Sequence, residues 1–370
     1  MMRLLHIFRW VTGLLFIFSG LVKANDPLGL SYKMDEFVEA LHLAGFMHYS
    51  LAFSVAIITF EIIAGVALLL GWRMRLFSSL LLLLIIFFSF LTGYAVFSGK
   101  IAACGCFGDC IPLQPMQSFI KDLVLFVMII FIFLKHKSIQ PHVSNKVANM
   151  IMLASFVFTM GMQAYVLRYL PIIDCLPFKV GNNLLQQMQM PKDAMPDVFE
   201  LRFVYKRNDT VQEFTANQLP DSTWTFVDRK QVLLKKGKNN QPPIRDFILR
   251  TASGNDTTSE LLNTKGRYYL LFIQHFENHS SQEEWLRQAA EIAKKEKVFI
   301  VTGQPDQARV VFGYERNVWA LPKILSCDVT AIKTAARAIP VMFAMEGPIV
   351  FNKWSGAHFY RIQNWLKTQP

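Results

Sequence analysis

Leu76-Phe-Ser-Ser-Leu-Leu-Leu-Leu-Leu-Ile-Ile-Phe-Phe-Ser-Phe-Leu-Thr-Gly-Tyr-Ala-Val-Phe97 is a run of 22 residues without a charge, and shortly after it the chain reads Cys104-Gly-Cys106-Phe-Gly-Asp-Cys110. A hydrocarbon core about 30 Å thick takes roughly 20 apolar helical residues to cross. The run therefore spans a bilayer, and it delivers three of the chain's five cysteines to one membrane face.

Four more stretches have the same character: Leu4–Val22, Leu51–Trp72, Phe119–Leu134 and Val147–Leu170, the last carrying Thr159 and Gln163. Charge is divided unevenly. Residues 1–170 hold 12 Lys/Arg and 7 Asp/Glu, against 26 and 20 in residues 171–370, so an ordinary soluble domain hangs from the last span. The net charge of +11 does not indicate nucleic acid. The densest basic runs, Lys235-Lys236-Gly-Lys238 and Lys294-Lys295-Glu-Lys297, lack interleaved aromatics and read as solvated faces.

Short-loop Lys and Arg mark the cytoplasmic side. Arg3 and Arg9, then Arg73 and Arg75, then Lys135, Lys137 and Lys146 fall at one end, while the loop with Asp26, Asp35, Glu36 and Glu39 and the cysteine loop fall at the other. Five crossings with the N-terminus in and the C-terminal domain out satisfy all of them. A cleaved signal peptide is the other reading of the first span, but no small-x-small site follows Gly20 and Lys23 comes directly after.

Thiol–disulfide exchange needs cysteines close in sequence, backbone freedom and access to partners. Gly105 and Gly108 give the freedom. Cys175 lies just beyond the fifth span on the same face, so Cys104, Cys106, Cys110 and Cys175 are the candidate catalytic set, with three possible pairings among them. A Cys104–Cys106 pair forms a tight ring and is the reactive one if it exists, leaving Cys110 with Cys175. A purely structural disulfide explains the same residues equally well. A metal site does not, because Cys-x-Cys-x3-Cys with His42 and His48 departs from tetrahedral zinc spacing. Cys327 reads as a small buried apolar residue. Glu61 falls mid-span, where a charge costs about 2.5–3.5 kcal/mol. It faces the bundle interior, either hydrogen-bonded to Thr12, Ser19 or Ser89, or carrying protons for a quinone, the one cofactor class the sequence brings into view.

Beyond a tether through Pro171, Pro177 and Gly181, a β-rich segment begins with the alternating Val198–Tyr205 and continues through Val211–Phe214 and Trp224–Val227. Pro242–Leu249 is expected as a strand, followed by a turn, a central strand at Tyr268–Ile273, an amphipathic helix over 281–296 and a buried strand at Val298–Val301. Ala331–Gly356 reads as helix, proline, hairpin and the start of a terminal helix.

Trp10-Val-Thr-Gly-Leu-Leu-Phe-Ile-Phe-Ser-Gly-Leu-Val-Lys23, Phe60-Glu-Ile-Ile-Ala-Gly65 with Gly71, and Cys-Gly-Cys-Phe-Gly with Lys121-Asp122 resemble the DoxX and MauE-type membrane proteins over residues 3–135. MauE is the methylamine-utilisation member. The resemblance implies a four-helix transmembrane bundle associated with thiol oxidation or with maturation of disulfide-containing proteins. The order β-α-β-α-β-β-α over 242–368 resembles the thioredoxin fold in its membrane-tethered TlpA-like or peroxiredoxin-like form, with Ile339-Pro340 at the family's cis-proline. Where that family carries its Cys-x-x-Cys pair, this chain has Gln274-His-Phe-Glu-Asn-His279, so the domain is degenerate: a cleft beside Pro340 for an extended client peptide, without exchange chemistry. His275 and His279 read as polar loop residues.

The expected architecture is a membrane all-α helical bundle, a four-helix DoxX-like core plus a fifth helix. An external α/β thioredoxin-like domain with an additional β-rich segment follows. The expected boundaries are 1–140, 141–180, 181–241 and 242–370, in a bacterial inner membrane with the C-terminal domain periplasmic. The partners are the lipid bilayer and a periplasmic client, with no nucleic acid and no metal.

Overall fold

The computed structural model describes residues 2–101, 104–208, 210–235, 237, 239–276, 280–312 and 323–368. Helices α1 (Met2–Ala24), α2 (Pro27–Ala40), α3 (Ser50–Leu70), α4 (Met74–Ser98), α5 (Pro115–Leu134) and α6 (Asn145–Arg168) form the first half. Five of them, α1 and α3–α6, are long and apolar enough to cross a membrane.

The burial pattern of α1 shows what solvent it is built for. Leu4, Ile7, Val11, Leu14 and Phe18 form an exposed stripe at helical spacing, while Arg9, Thr12, Ser19 and Lys23 are buried on the opposite side. Apolar out and polar in is the arrangement a lipid environment demands. Between α1 and α3 the contact is close because both sides are small. A Cβ on Gly65 would stand 2.7 Å from the Gly13 carbonyl, so glycine at that position is what lets the two backbones meet. The fifth span, α6, docks on α3 through the buried Gln163, whose Nε2 donates to Thr59 Oγ1 at 2.9 Å. Helix α2 is an addition to the expected plan. Its Pro27 start is capped by Asp26, whose Oδ1 accepts from Gly29 N at 2.9 Å.

The second half begins with the short helix α7 (Leu184–Gln187) and a three-stranded sheet of β1 (Val198–Arg207), β2 (Thr210–Thr215) and β3 (Thr225–Lys235), antiparallel in the order β2-β1-β3. There follow α8 (Thr258–Leu262), β4 (Arg267–Ile273), α9 (Ser280–Ala293), β5 (Val298–Thr302), α10 (Pro305–Val311), β6 (Lys323–Ser326), α11 (Val329–Ala335), β7 (Val341–Glu346), β8 (Ile349–Ser355) and α12 (Phe359–Thr368). These strands form one sheet in the order β6-β5-β4-β7-β8, with β4, β5 and β6 parallel and β7 and β8 antiparallel. Alternation along β4 feeds two cores. Tyr268, Leu270 and Phe272 join one, and Tyr269, Leu271 and Ile273 join the other beneath α9 and α12. The Ile339-Pro340 peptide is cis.

Two sequence expectations need correction here. Pro242–Leu249 is not a strand: Asp246 sits at φ +53°, a left-handed conformation that breaks extended structure, although Ile244, Phe247 and Leu249 are still buried. The sheet also contains β6, preceded by α10, and neither stood in the expected order; a four-residue strand and a seven-residue helix are too short to show a period. The tether is itself structural. Phe178 and Leu184 belong to the core under β7, and Ile244 N donates to Gln187 O at 2.9 Å, so the β1–β3 sheet is an insertion into the larger domain.

Candidate functional site: a dithiol cavity at the head of the bundle

Where α1, α3, α4 and α5 converge beneath the cysteine loop they border a small cavity, lined by Ser19, Lys23, Glu61, Phe88, Thr92, Cys104, Cys106, Lys121 and Asp122 among others. Cys104 and Cys106 are free thiols, and Glu61 shares the cavity with them. Cys110 and Cys175 stand apart, joined in a disulfide that ties the cysteine loop to the segment leaving α6. The pairing is thus the second of the two pairs the sequence allowed, with the Cys104–Cys106 bond unformed.

Two acid–base pairs are embedded in the cavity wall. Lys23 Nζ lies 2.5 Å from Glu61 Oε1, and both side chains are 2% exposed. Ser19 Oγ also donates to Glu61 at 3.3 Å and lies 3.0 Å from the Cys106 carbonyl, so a single hydroxyl touches both the ion pair and the thiol loop. Of the partners expected for Glu61, only Ser19 engages it; Thr12 Oγ1 and Ser89 Oγ have no partner among the described residues. Across the cavity Lys121 Nζ lies 2.5 Å from Asp122 Oδ1, and Thr92 Oγ1 donates to Asp122 Oδ2 at 3.0 Å. Sequence reading treated Lys23 as a flanking charge and missed its pairing, since the partner is 38 residues away on another helix.

Burial governs the thiols. It pushes Cys104 up to about 12, with the neighbouring Cys106 adding to the shift. Cys106 is raised by burial as well, but Lys121 and, more weakly, Lys23 act against that shift. Both rest as neutral thiols; Lys121 and Lys23 favour the Cys106 thiolate, and Lys33 that of Cys104. Cys327, far off in the soluble domain, is buried and pushed to about 12 by desolvation, as its reading as a packing residue implied.

Helix α2 closes the cavity from above. Leu30, Lys33, Met34 and Phe37 follow one helical stripe and line it, and Lys33 packs on Gly105, which sits at φ +66°. The other side of α2 faces the soluble domain. Tyr32 Oη donates to Gln274 Oε1 at 2.8 Å, and Gln274 Nε2 donates to the Ala336 carbonyl. Gln274 immediately follows β4, the position where a cysteine pair was sought and not found. Arg337, 6% exposed, reaches Asp26 Oδ2 at 2.8 Å through Nε, pairs through Nη2 with Asp109, and stacks on the Tyr32 ring. Burial raises Asp26 from its ordinary value, and Arg337 opposes that shift. Lys333 approaches Asp35 at 3.8 Å, and Lys353 pairs with Asp174 at 2.8 Å. The residue after β4 and the C-terminal end of α11 are therefore held against this chain's own α2 and the loops beside it. His275 has interactions within the fold, and His279 lies outside the described residues.

Comparison with known proteins bears on the two halves differently. Residues 199–236, the inserted sheet, match a domain of unknown function, DUF8463. Protein TlpB of Flavobacterium psychrophilum is 29% identical over 133 residues, 35% of this chain and 36% of that protein, so the chain spans about a third of that relative's length. No solved structure matches the chain. Residues 1–135 match the family model of methylamine utilisation protein MauE, a span that takes in α1 to α5 with the dithiol cavity and stops before α6. The first 135 residues are a MauE-type membrane domain.

Proposed function

We propose that the chain is a thiol–disulfide exchange protein of a bacterial inner membrane, with its N-terminus cytoplasmic and its cysteine loop and C-terminal domain periplasmic. The observation that carries the chemistry is the presence of two free thiols, Cys104 and Cys106, in one cavity with the Lys121–Asp122 and Lys23–Glu61 pairs. The orientation rests on the Arg and Lys placement at the opposite end of the bundle.

In the exchange, Cys106 gives up its proton, and its thiolate attacks one sulfur of a client disulfide, releasing the other client sulfur as a thiol. Cys104 then attacks Cys106, and the client leaves as a dithiol. Two electrons and two protons pass to the client, and a Cys104–Cys106 disulfide remains. The step runs in either direction according to the client's potential. Cys110–Cys175 either serves as a second pair in the relay or fixes the loop over the cavity. No step of the exchange is routed through a quinone, since Glu61 is held by Lys23 and Ser19. The C-terminal domain is read as a thioredoxin-like fold, supported by its parallel β4-β5, its antiparallel β7-β8 and the cis Ile339-Pro340, and as degenerate because no Cys-x-x-Cys pair follows β4 directly.

A second reading, a scaffold whose cysteines only staple the structure, draws on the Cys110–Cys175 bond and on the Arg337 ion pairs. Differential alkylation of intact cells before and after mild reduction separates the two. Exchange activity requires Cys104 and Cys106 to be found in both thiol and disulfide forms, and Cys104→Ser, which lacks the resolving thiol, to accumulate a mixed disulfide between Cys106 and a client at unchanged membrane abundance, while Cys106→Ser forms none. Thiols that stay wholly reduced, with no trapped client, select the scaffold.

A further inference from the structure

The end of the bundle opposite the cysteines carries a feature that thiol chemistry does not use. Residues 1–25, 62–108 and 123–173 contain no Asp or Glu, so Arg3, Arg9, Arg73, Arg75, Lys135, Lys137 and Lys146 gather there without one carboxylate. Between the α3–α4 turn and the segment that follows α5 lies an open, shallow pocket lined by Arg73, Arg75, His136 and Lys137 together with the apolar Leu76 and Leu80. None of these cations has an acidic partner among the described residues.

Two further observations give the pocket the signature of an anion site. Arg73 and Arg75 occupy the start of α4, where the helix dipole disfavours cations, and the first turn holds no acidic residue. Behind the lining, Arg9 is fully buried, its Nη2 against His142, while its Nε and Nη1 have no hydrogen-bond partner. A Cβ on Gly71, which lines the pocket, would stand 3.3 Å from that Nη1. Arg9 does not itself line the pocket, but its guanidinium lies just behind Gly71, which does, so its charge adds to the positive potential there.

The apolar lining says what kind of anion. Leu76, Leu80, Leu83, Phe87 and Phe90 recur at helical spacing as one exposed apolar stripe running from the pocket along α4. We propose that this pocket binds the phosphate headgroup of an anionic glycerophospholipid, with the head among Arg73, Arg75 and Lys137 and an acyl chain along that stripe.

The test uses the full chain purified in mild detergent and native mass spectrometry with phosphatidylglycerol, phosphatidylcholine or inorganic phosphate added. Phosphatidylglycerol is expected to be retained and phosphatidylcholine not, with inorganic phosphate failing to displace it. In the double variant Arg75→Gln/Lys137→Gln, apparent affinity for phosphatidylglycerol should fall about tenfold or more, while the Cys110–Cys175 bond and a monodisperse elution profile attest to an intact fold. Equal retention of the two lipids, retention unchanged in the variant, or displacement by inorganic phosphate alone would each overturn the assignment. Cysteine alkylation is read on the same samples, so failure here is distinguishable from failure of the exchange function.

Discussion

Lys23 and Glu61 form an ion pair 2.5 Å long with each partner 2% exposed, and the hydroxyl that supports Glu61 also contacts the Cys106 carbonyl. Removing one partner strands the other without water. Glu61→Ala is expected to cost about 3–5 kcal/mol, whereas the double variant Lys23→Met/Glu61→Leu recovers much of that loss. Thermal unfolding in detergent checks the order; a double variant no better than either single one would show that the pair is not coupled.

The second prediction concerns Arg337. Among the described residues it is the one cation paired with Asp26 and Asp109, which belong to α2's cap and to the cysteine loop. Arg337→Gln leaves two partly exposed carboxylates, 12% and 28% exposed, facing each other and should loosen the soluble domain, at a cost below the roughly 3–5 kcal/mol of a fully buried pair. Faster alkylation of Cys106 and new protease sites between α6 and α7 are the readouts. An unchanged labelling rate would mean that the domain does not hold α2 in place.

The thiols give a pH prediction with a definite sign. Cys104 is raised from 9.0 to about 12, so the fold prefers its neutral form. That preference contributes stability in full below about pH 9 and is lost as pH rises from there toward 12. Alkylation of Cys104 in the folded protein should keep accelerating beyond the pH at which the same thiol levels off in denaturant. A plateau near pH 9 in the native protein would contradict its burial.

The Cys110–Cys175 bond closes a loop of 65 residues that contains α5 and α6. Loop-closure entropy makes Cys110→Ala or Cys175→Ala cost about 2–4 kcal/mol. The unfolding midpoint of the unsubstituted chain should drop by the same amount on reduction. Loss of the bond without loss of stability would favour its use as a relay pair.

The spans were legible because a bilayer enforces a length and a composition on every crossing helix, and Leu76–Phe97 satisfies both without ambiguity. Helix α2 was not. Its Lys33, Asp35, Glu36 and Glu39 dilute the apolar pattern to that of a loop, and only the cavity on one side and the domain on the other explain why it is helical. The cysteines were found at once because their spacing is local, whereas Lys23–Glu61 and Arg337–Asp26 join residues tens to hundreds of positions apart that no periodicity connects. The strand expected at Pro242–Leu249 failed for the converse reason: its apolar residues are buried, yet by an irregular segment turned at Asp246.

Helix α2 offers Phe37 and Lys33 to the dithiol cavity and Tyr32 and Asp35 to the soluble domain, with scarcely one helical turn separating the two sets. Whatever shifts one set moves the other. The short helix is therefore a shared wall: its position is fixed jointly by the packing around the two thiols and by the polar contacts of the soluble domain, and neither set can be altered without the other feeling it.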